Sequence, residues 1–147
     1  MVLGLSAGSV LTEGAVMVPD WRSMPPADFL QWYAANAARL FNFFGPLEMA
    51  ATLLAIAAAI ILRARRRQGA GSMGMAAALS LAVLLTFPMY FRDVNLSFEH
   101  ATIAPEQVPA ELTRWAAWHW ARTAIAIAAF VAALSSTLRA AREGDPR

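Results

Sequence analysis

Glu13, Glu48, His119 and Arg122 lie inside or at the edge of long apolar stretches, where ionisable residues are costly. Such a residue usually faces a partner, a cavity or a substrate. An imidazole can accept a proton near neutral pH, and a carboxylate beside it can orient it or compete as the base. Trp115, Trp118, His119 and Arg122 are spaced i, i+3, i+4, i+7, which is one face of a helix, and Glu111 extends the stripe by one turn. Trp115, Trp118 and Tyr90 would wall a flat, apolar substrate entering from lipid. The expected chemistry is proton transfer, with His119 as acceptor and Glu13 or Glu48 as its partner.

Two other readings use the same residues. Glu13, Glu48 and His119, with or without His100, are an oxygen-and-nitrogen ligand set of the kind helix bundles use for iron and similar ions. The chain has no Glu-x-x-His pair and only two histidines. A haem held by both would need His100 and His119 at compatible depths. Alternatively, Arg122 forms a buried salt bridge with Glu13 or Glu48 and the charges cancel. No cofactor is evident in the sequence, and a metal ion stays open.

Four apolar runs must position these residues: Val2–Val18, Pro46–Leu62, Met73–Tyr90 and Trp118–Leu138. Each is about long enough to cross a bilayer. The chain of 147 residues is 59% hydrophobic, with a mean hydropathy of +0.47. One domain is expected: an all-α, four-helix transmembrane bundle over residues 1–147. The first run lacks a basic leader and carries Gly4, Gly8 and Glu13, so a retained helix is expected. Gly4, Gly8 and Thr12 form a small-residue stripe suited to close helix packing.

Arginines set the expected orientation. Arg63, Arg65, Arg66 and Arg67 follow the second run, and Arg139, Arg142 and Arg147 follow the fourth. By the positive-inside rule both clusters, and both termini, are cytoplasmic. Glu13, Glu48, His119 and Arg122 then meet near the outer face, with Tyr90, Arg92 and Asn95 leaving the third span there. Gln68–Gly74 is a short flexible turn. Phe29–Phe41, opened by Pro25-Pro26-Ala27-Asp28, is predicted as a short outer interfacial helix. Trp120 is expected to anchor the interface. Pro88 kinks the third helix or marks its exit, and Pro105 and Pro109 break the last outer segment.

Several function classes are excluded or disfavoured. Without cysteine there is no disulfide or thiolate chemistry. All twelve Lys-plus-Arg positions are arginine, which removes lysine Schiff-base chemistry. The pI of 9.9 comes from arginines flanking apolar runs, so no nucleic-acid partner is expected. Gly-rich phosphate loops and nucleophile-elbow serines are missing.

The stretches Val18-Pro19-Asp20-Trp21, Pro25-Pro26-Ala27-Asp28-Phe29 and Phe43-Phe44-Gly45-Pro46-Leu47-Glu48, with Asn95 and then Trp115, Trp118, His119 and Arg122, resemble the anthrone oxygenase-like family of small four-helix membrane proteins. The likeness covers nearly the whole chain. It implies a fold and, for some members, oxidation of polyketide anthrones without an evident standard cofactor. Asn95, Trp115, His119 and Arg122 are the residues it would assign. Asp93 stands where the family often has proline.

The leading expectation is therefore a small membrane oxidoreductase, an oxygenase acting on an aromatic, lipid-soluble substrate. His119 is its base, and Arg122 and Asn95 stabilise the developing oxyanion. The alternative is a structural or accessory subunit, or an apolar-ligand carrier, in which the polar residues only fix helix register. The expected partners are the bilayer and an apolar small molecule; a homo-oligomer or a partner subunit stays open.

Overall fold

The computed structural model describes residues 1–143, and every element among them is helical. Four helices follow one another: α1 (Val2–Ser23), α2 (Pro26–Ala64), α3 (Ala70–Glu99) and α4 (Val108–Glu143). All four are long and apolar enough to cross a membrane. Helix α1 packs on α2 and α4, and α3 packs on α2 and α4, so the four close an antiparallel ring. Arg147, expected in the basic cluster, lies outside the described residues.

The distribution of side-chain size supports a lipid-facing exterior. Large apolar residues point outward on every helix, among them Leu5, Leu53, Ile60, Met75, Leu85 and Leu138. The interior holds small ones: Ser6, Ala7, Ala51, Ala55, Ala76, Ala126 and Ala129. Small residues let backbones approach and pack where no hydrophobic force separates helix from lipid. The stripe expected at Gly4, Gly8 and Thr12 is only partly used. A Cβ at Gly4 would meet the Phe130 ring at 2.9 Å, but Gly8 and Thr12 face outward. The packing face of α1 is instead Ala7, Val10, Glu13 and Gly14.

The helices run past the predicted spans. The expected separate interfacial helix does not exist: α2 is continuous from Pro26 to Ala64 through Pro46. Pro46 removes one backbone hydrogen bond, and the good helix formers on both sides carry the helix through it. Helix α3 likewise continues beyond Pro88 to Glu99. Pro88 cannot donate to the Leu84 carbonyl; the Phe87 N–H takes that carbonyl instead, and a π-turn over Phe87–Phe91 follows. A second π-turn spans Glu13–Met17, where the Val18 N–H bonds back to the Glu13 carbonyl. The additional residue rotates the rest of α1 by about 100°. Val18 and Trp21 are thereby buried. Pro105 opens a single 3-10 turn, and Pro109 falls in the first turn of α4, where its missing donor costs nothing.

These extensions build a second core. Trp21, Phe29, Tyr33, Phe91, Phe98 and Trp115 pack ring against ring at the end opposite the cluster of Arg63, Arg65, Arg66 and Arg67. A smaller core of Ala7, Val10, Val83 and Ala126 lies toward the arginine-rich end.

At that end, Gly69 starts α3 at φ +85°, and its carbonyl accepts the Ser136 hydroxyl at 2.9 Å. A Cβ there would lie 2.6 Å from the Ser136 carbonyl oxygen. Gly69→Ala is expected to destabilise the bundle by at least about 2 kcal/mol, from left-handed strain and overpacking. Gly74→Ala, on an open helical surface, should be neutral or stabilising by up to about 1 kcal/mol. Unfolding of the two variants in micelles makes the comparison.

Candidate functional site

Four elements bring ionisable and aromatic groups together between the two cores. Helix α4 buries Leu112, Trp115, Ala116, His119, Arg122, Thr123 and Ala126 on one stripe. The Thr123 hydroxyl donates to the His119 carbonyl at 2.8 Å and satisfies itself within the helix. Helix α1 contributes Glu13 at the start of its π-turn, and α2 contributes Glu48. The four polar side chains are closed from solvent: His119 is 0% exposed, Glu13 5%, Glu48 7% and Arg122 7%.

Arg122 is the hub. Its Nη2 donates to Glu13 Oε2 at 3.0 Å, and its Nη1 lies 3.7 Å from Glu48 Oε1. The first is a charge-assisted hydrogen bond; the second is a charge contact beyond hydrogen-bond range. The guanidinium also lies 4.5 Å above the Phe91 ring centre, a cation–π contact. The sequence reading that paired Arg122 with Glu13 or Glu48 is met by both carboxylates.

His119 is fixed from several sides. Its Nε2 is 2.8 Å from the Val10 carbonyl. A carbonyl only accepts, so Nε2 carries the hydrogen. The other nitrogen, Nδ1, is 3.7 Å from Glu13 Oε2 and has no hydrogen-bond partner. Trp115 stacks on the ring at 4.9 Å and 9°, and its indole N–H donates to Asn95 Oδ1 at 2.9 Å. Asn95 thus reaches the imidazole through Trp115, as a positioning residue. Glu48 Oε1 and Arg122 Nε are also buried without hydrogen-bond partners.

Other expected members fall elsewhere. Trp118 is 39% exposed and stacks on Tyr90 at 5.1 Å and 14°. The Tyr90 hydroxyl donates to Glu111 at 2.7 Å, and Arg114 holds the other Glu111 oxygen at 3.1 Å. This group forms a rim beside the centre, so Trp118 and Tyr90 do not share the buried face of Trp115. Trp120, expected only as an anchor, places its ring edge-on to His119 at 6.4 Å. His100 caps α3 and is exposed, so it does not join the centre. Among the described residues no three His, Cys, Asp or Glu side chains converge as a metal-ligand group. The metal set of Glu13, Glu48, His119 and His100 is therefore not assembled. Arg122 lies between the carboxylates, where a cation would have to sit.

Sequence reasoning missed Gly14, Trp21 and Phe91. Gly14 adjoins Glu13, and a Cβ there would stand 2.9 Å from both Cδ2 and Nε2 of His119. Phe91 lies inside the π-turn after Pro88, where ordinary helical spacing no longer gives the face.

No family model, curated protein or solved structure matches the chain. An open groove of about 460 Å³ between α1 and α2 reaches Glu13, and a cavity of about 10 Å³ lies beside Glu48, Ser6, Thr52 and Ser80. A larger groove of about 670 Å³ runs between α1 and α4 past Gly14 and Trp120. At the centre, Nδ1 of His119 and Nε of Arg122 are the buried nitrogens without a hydrogen-bond partner, while both Nη atoms of Arg122 already face carboxylates.

Gly14→Ala is expected to push His119 off the Val10 carbonyl and to cost about 1–3 kcal/mol by overpacking. Thermal unfolding measures the cost. The histidine Nε2–H resonance in an NMR spectrum reports the lost hydrogen bond.

Proposed function

We propose that this chain is a small integral membrane oxidoreductase, an oxygenase that does acid–base chemistry on an aromatic, lipid-soluble substrate. In this reading the arginine-rich end and both termini are cytoplasmic, and the buried centre lies nearer the opposite face. The observation that carries the reading is His119 Nδ1. It is a basic nitrogen with no hydrogen-bond partner, on a ring anchored by its other nitrogen, with a carboxylate 3.7 Å away. Leaving a buried polar atom unpaired costs about 1–3 kcal/mol, and a catalytic role is one established explanation for such atoms. The likeness of Asn95, Trp115, His119 and Arg122 to the anthrone oxygenase-like pattern supports the same residues.

Nδ1 accepts the proton of an activated methylene flanked by aromatic rings. Nε of Arg122, the guanidinium nitrogen not turned to a carboxylate, donates to the neighbouring substrate oxygen as negative charge develops there. Asn95 holds Trp115, and Trp115 holds the imidazole plane. Molecular oxygen is the oxidant: the methylene carbon loses two hydrogens and gains one oxygen as a ketone. The second oxygen atom leaves as water with those two hydrogens.

His119→Ala should lower oxygen uptake with a polycyclic anthrone by about 100-fold or more. Arg92→Leu, at an exposed site away from the centre, should leave it unchanged. An oxygen electrode on protein in nanodiscs reads both, and full turnover by the alanine variant removes His119 as the base.

A second reading has its own support: Arg122 bridges two carboxylates in a closed interior, as a purely structural network would. A double-mutant cycle with Glu13→Gln and Arg122→Gln tests it. Coupling of about 2 kcal/mol or more in stability is expected for so buried a pair. That coupling, joined to an absence of oxygen uptake, favours the structural role.

A further inference from the structure

Of the four buried polar groups, Glu13 also lines the groove between α1 and α2. The groove has a polar band and apolar ends. Ser9, Thr12, Asn36 and Arg39 lie with Glu13 in the band. Leu40, Phe43 and Phe44 continue one end toward the apolar stretch of α2, and Met17 and Trp32 close the other. The α2 contributors, from Trp32 through Asn36, Arg39 and Leu40 to Phe43 and Phe44, follow helical spacing and form one face.

The polar band is unevenly satisfied. The hydroxyls of Ser9 and Thr12 donate to carbonyls of their own helix, and the Asn36 amide donates to the Trp32 carbonyl. Arg39 is exposed, and no carboxylate among the described residues pairs with it. An unpaired guanidinium beside an apolar wall is complementary to a ligand with an anionic head and a hydrocarbon tail. The volume of about 460 Å³ falls in the range of small-molecule sites.

We propose that the α1–α2 groove binds a single-chain amphipathic carboxylic acid drawn from the bilayer. Its carboxylate pairs with Arg39, and its tail runs over Leu40, Phe43 and Phe44 into the lipid. Bound there, the head lies in the same groove that Glu13 lines. Such binding involves no catalytic step and does not depend on oxygenase activity.

The test uses full-length protein in phosphatidylcholine nanodiscs and a stearic acid carrying a nitroxide near its carboxyl. Saturable quenching of tryptophan fluorescence is expected, with most of it lost in Trp32→Phe. Arg39→Gln should weaken the apparent affinity about tenfold or more, as should replacing the acid by its methyl ester. The ester control does not depend on any variant folding. Equal quenching by the ester, by nitroxide-labelled phosphatidylcholine, or with Arg39→Gln would overturn the proposal, because bulk lipid contact would explain it. Binding is read without turnover, so its failure leaves the assay of His119 untouched.

Discussion

A single guanidinium held between two carboxylates in an apolar interior organises this bundle. Taking any of these charges out of water costs several kcal/mol, and only their mutual contact offsets it. Arg122 therefore ties α4 to α1 through Glu13 and to α2 through Glu48, while Phe91 brings α3 against its flat face. All four helices meet at one cation. Sliding any helix along its axis would separate a charge from its partner, so the polar contacts specify a register that small apolar residues alone would leave loose.

The surroundings of Arg122 are built to allow that meeting. Alanine, serine and threonine fill the interior on the arginine-rich side, which brings the backbones close. Two π-turns lie nearby, one starting at Glu13 and the other ending at Phe91. Each adds a residue to a turn and re-aims the helix beyond it, so that Trp21 and Phe98 can join the aromatic core. That core closes the polar centre from the side opposite Arg63, Arg65, Arg66 and Arg67. Gly14 is a tight point, because the imidazole occupies the space a side chain would take.

Much of this was legible in the chain. Apolar run lengths gave four helices, and the cost of burying charge brought Glu13, Glu48, His119 and Arg122 to one centre. Period 3.6 placed Trp115, His119 and Arg122 together. It also placed Trp118 with them, yet a residue at the edge of a stripe can turn outward, and Trp118 does so to stack on Tyr90. Helix ends were harder to read. Pro46 and Pro88 look like terminators, but a proline inside a long apolar helix removes only one hydrogen bond, and packing on neighbours outweighs it. Phe91 was hidden because a π-turn breaks the period on which face assignment rests. The metal set failed for a spatial reason: Arg122 stands between Glu13 and Glu48, and His100 is exposed at the end of α3.

Helix α2 has 39 residues without a break, about 58 Å at 1.5 Å per residue. Its first turns hold Phe29 and Tyr33 in the aromatic cap, its middle lines the groove and bears Glu48, and its last turn carries Arg63. A rod of that length has few ways to absorb a disturbance locally. Tilting it at the cap must swing the opposite tip, where the turn into α3 is latched to Ser136. The same rod is a mechanical lever between the aromatic cap and the arginine-rich end, with Pro46, which lacks an N–H, as its point of give.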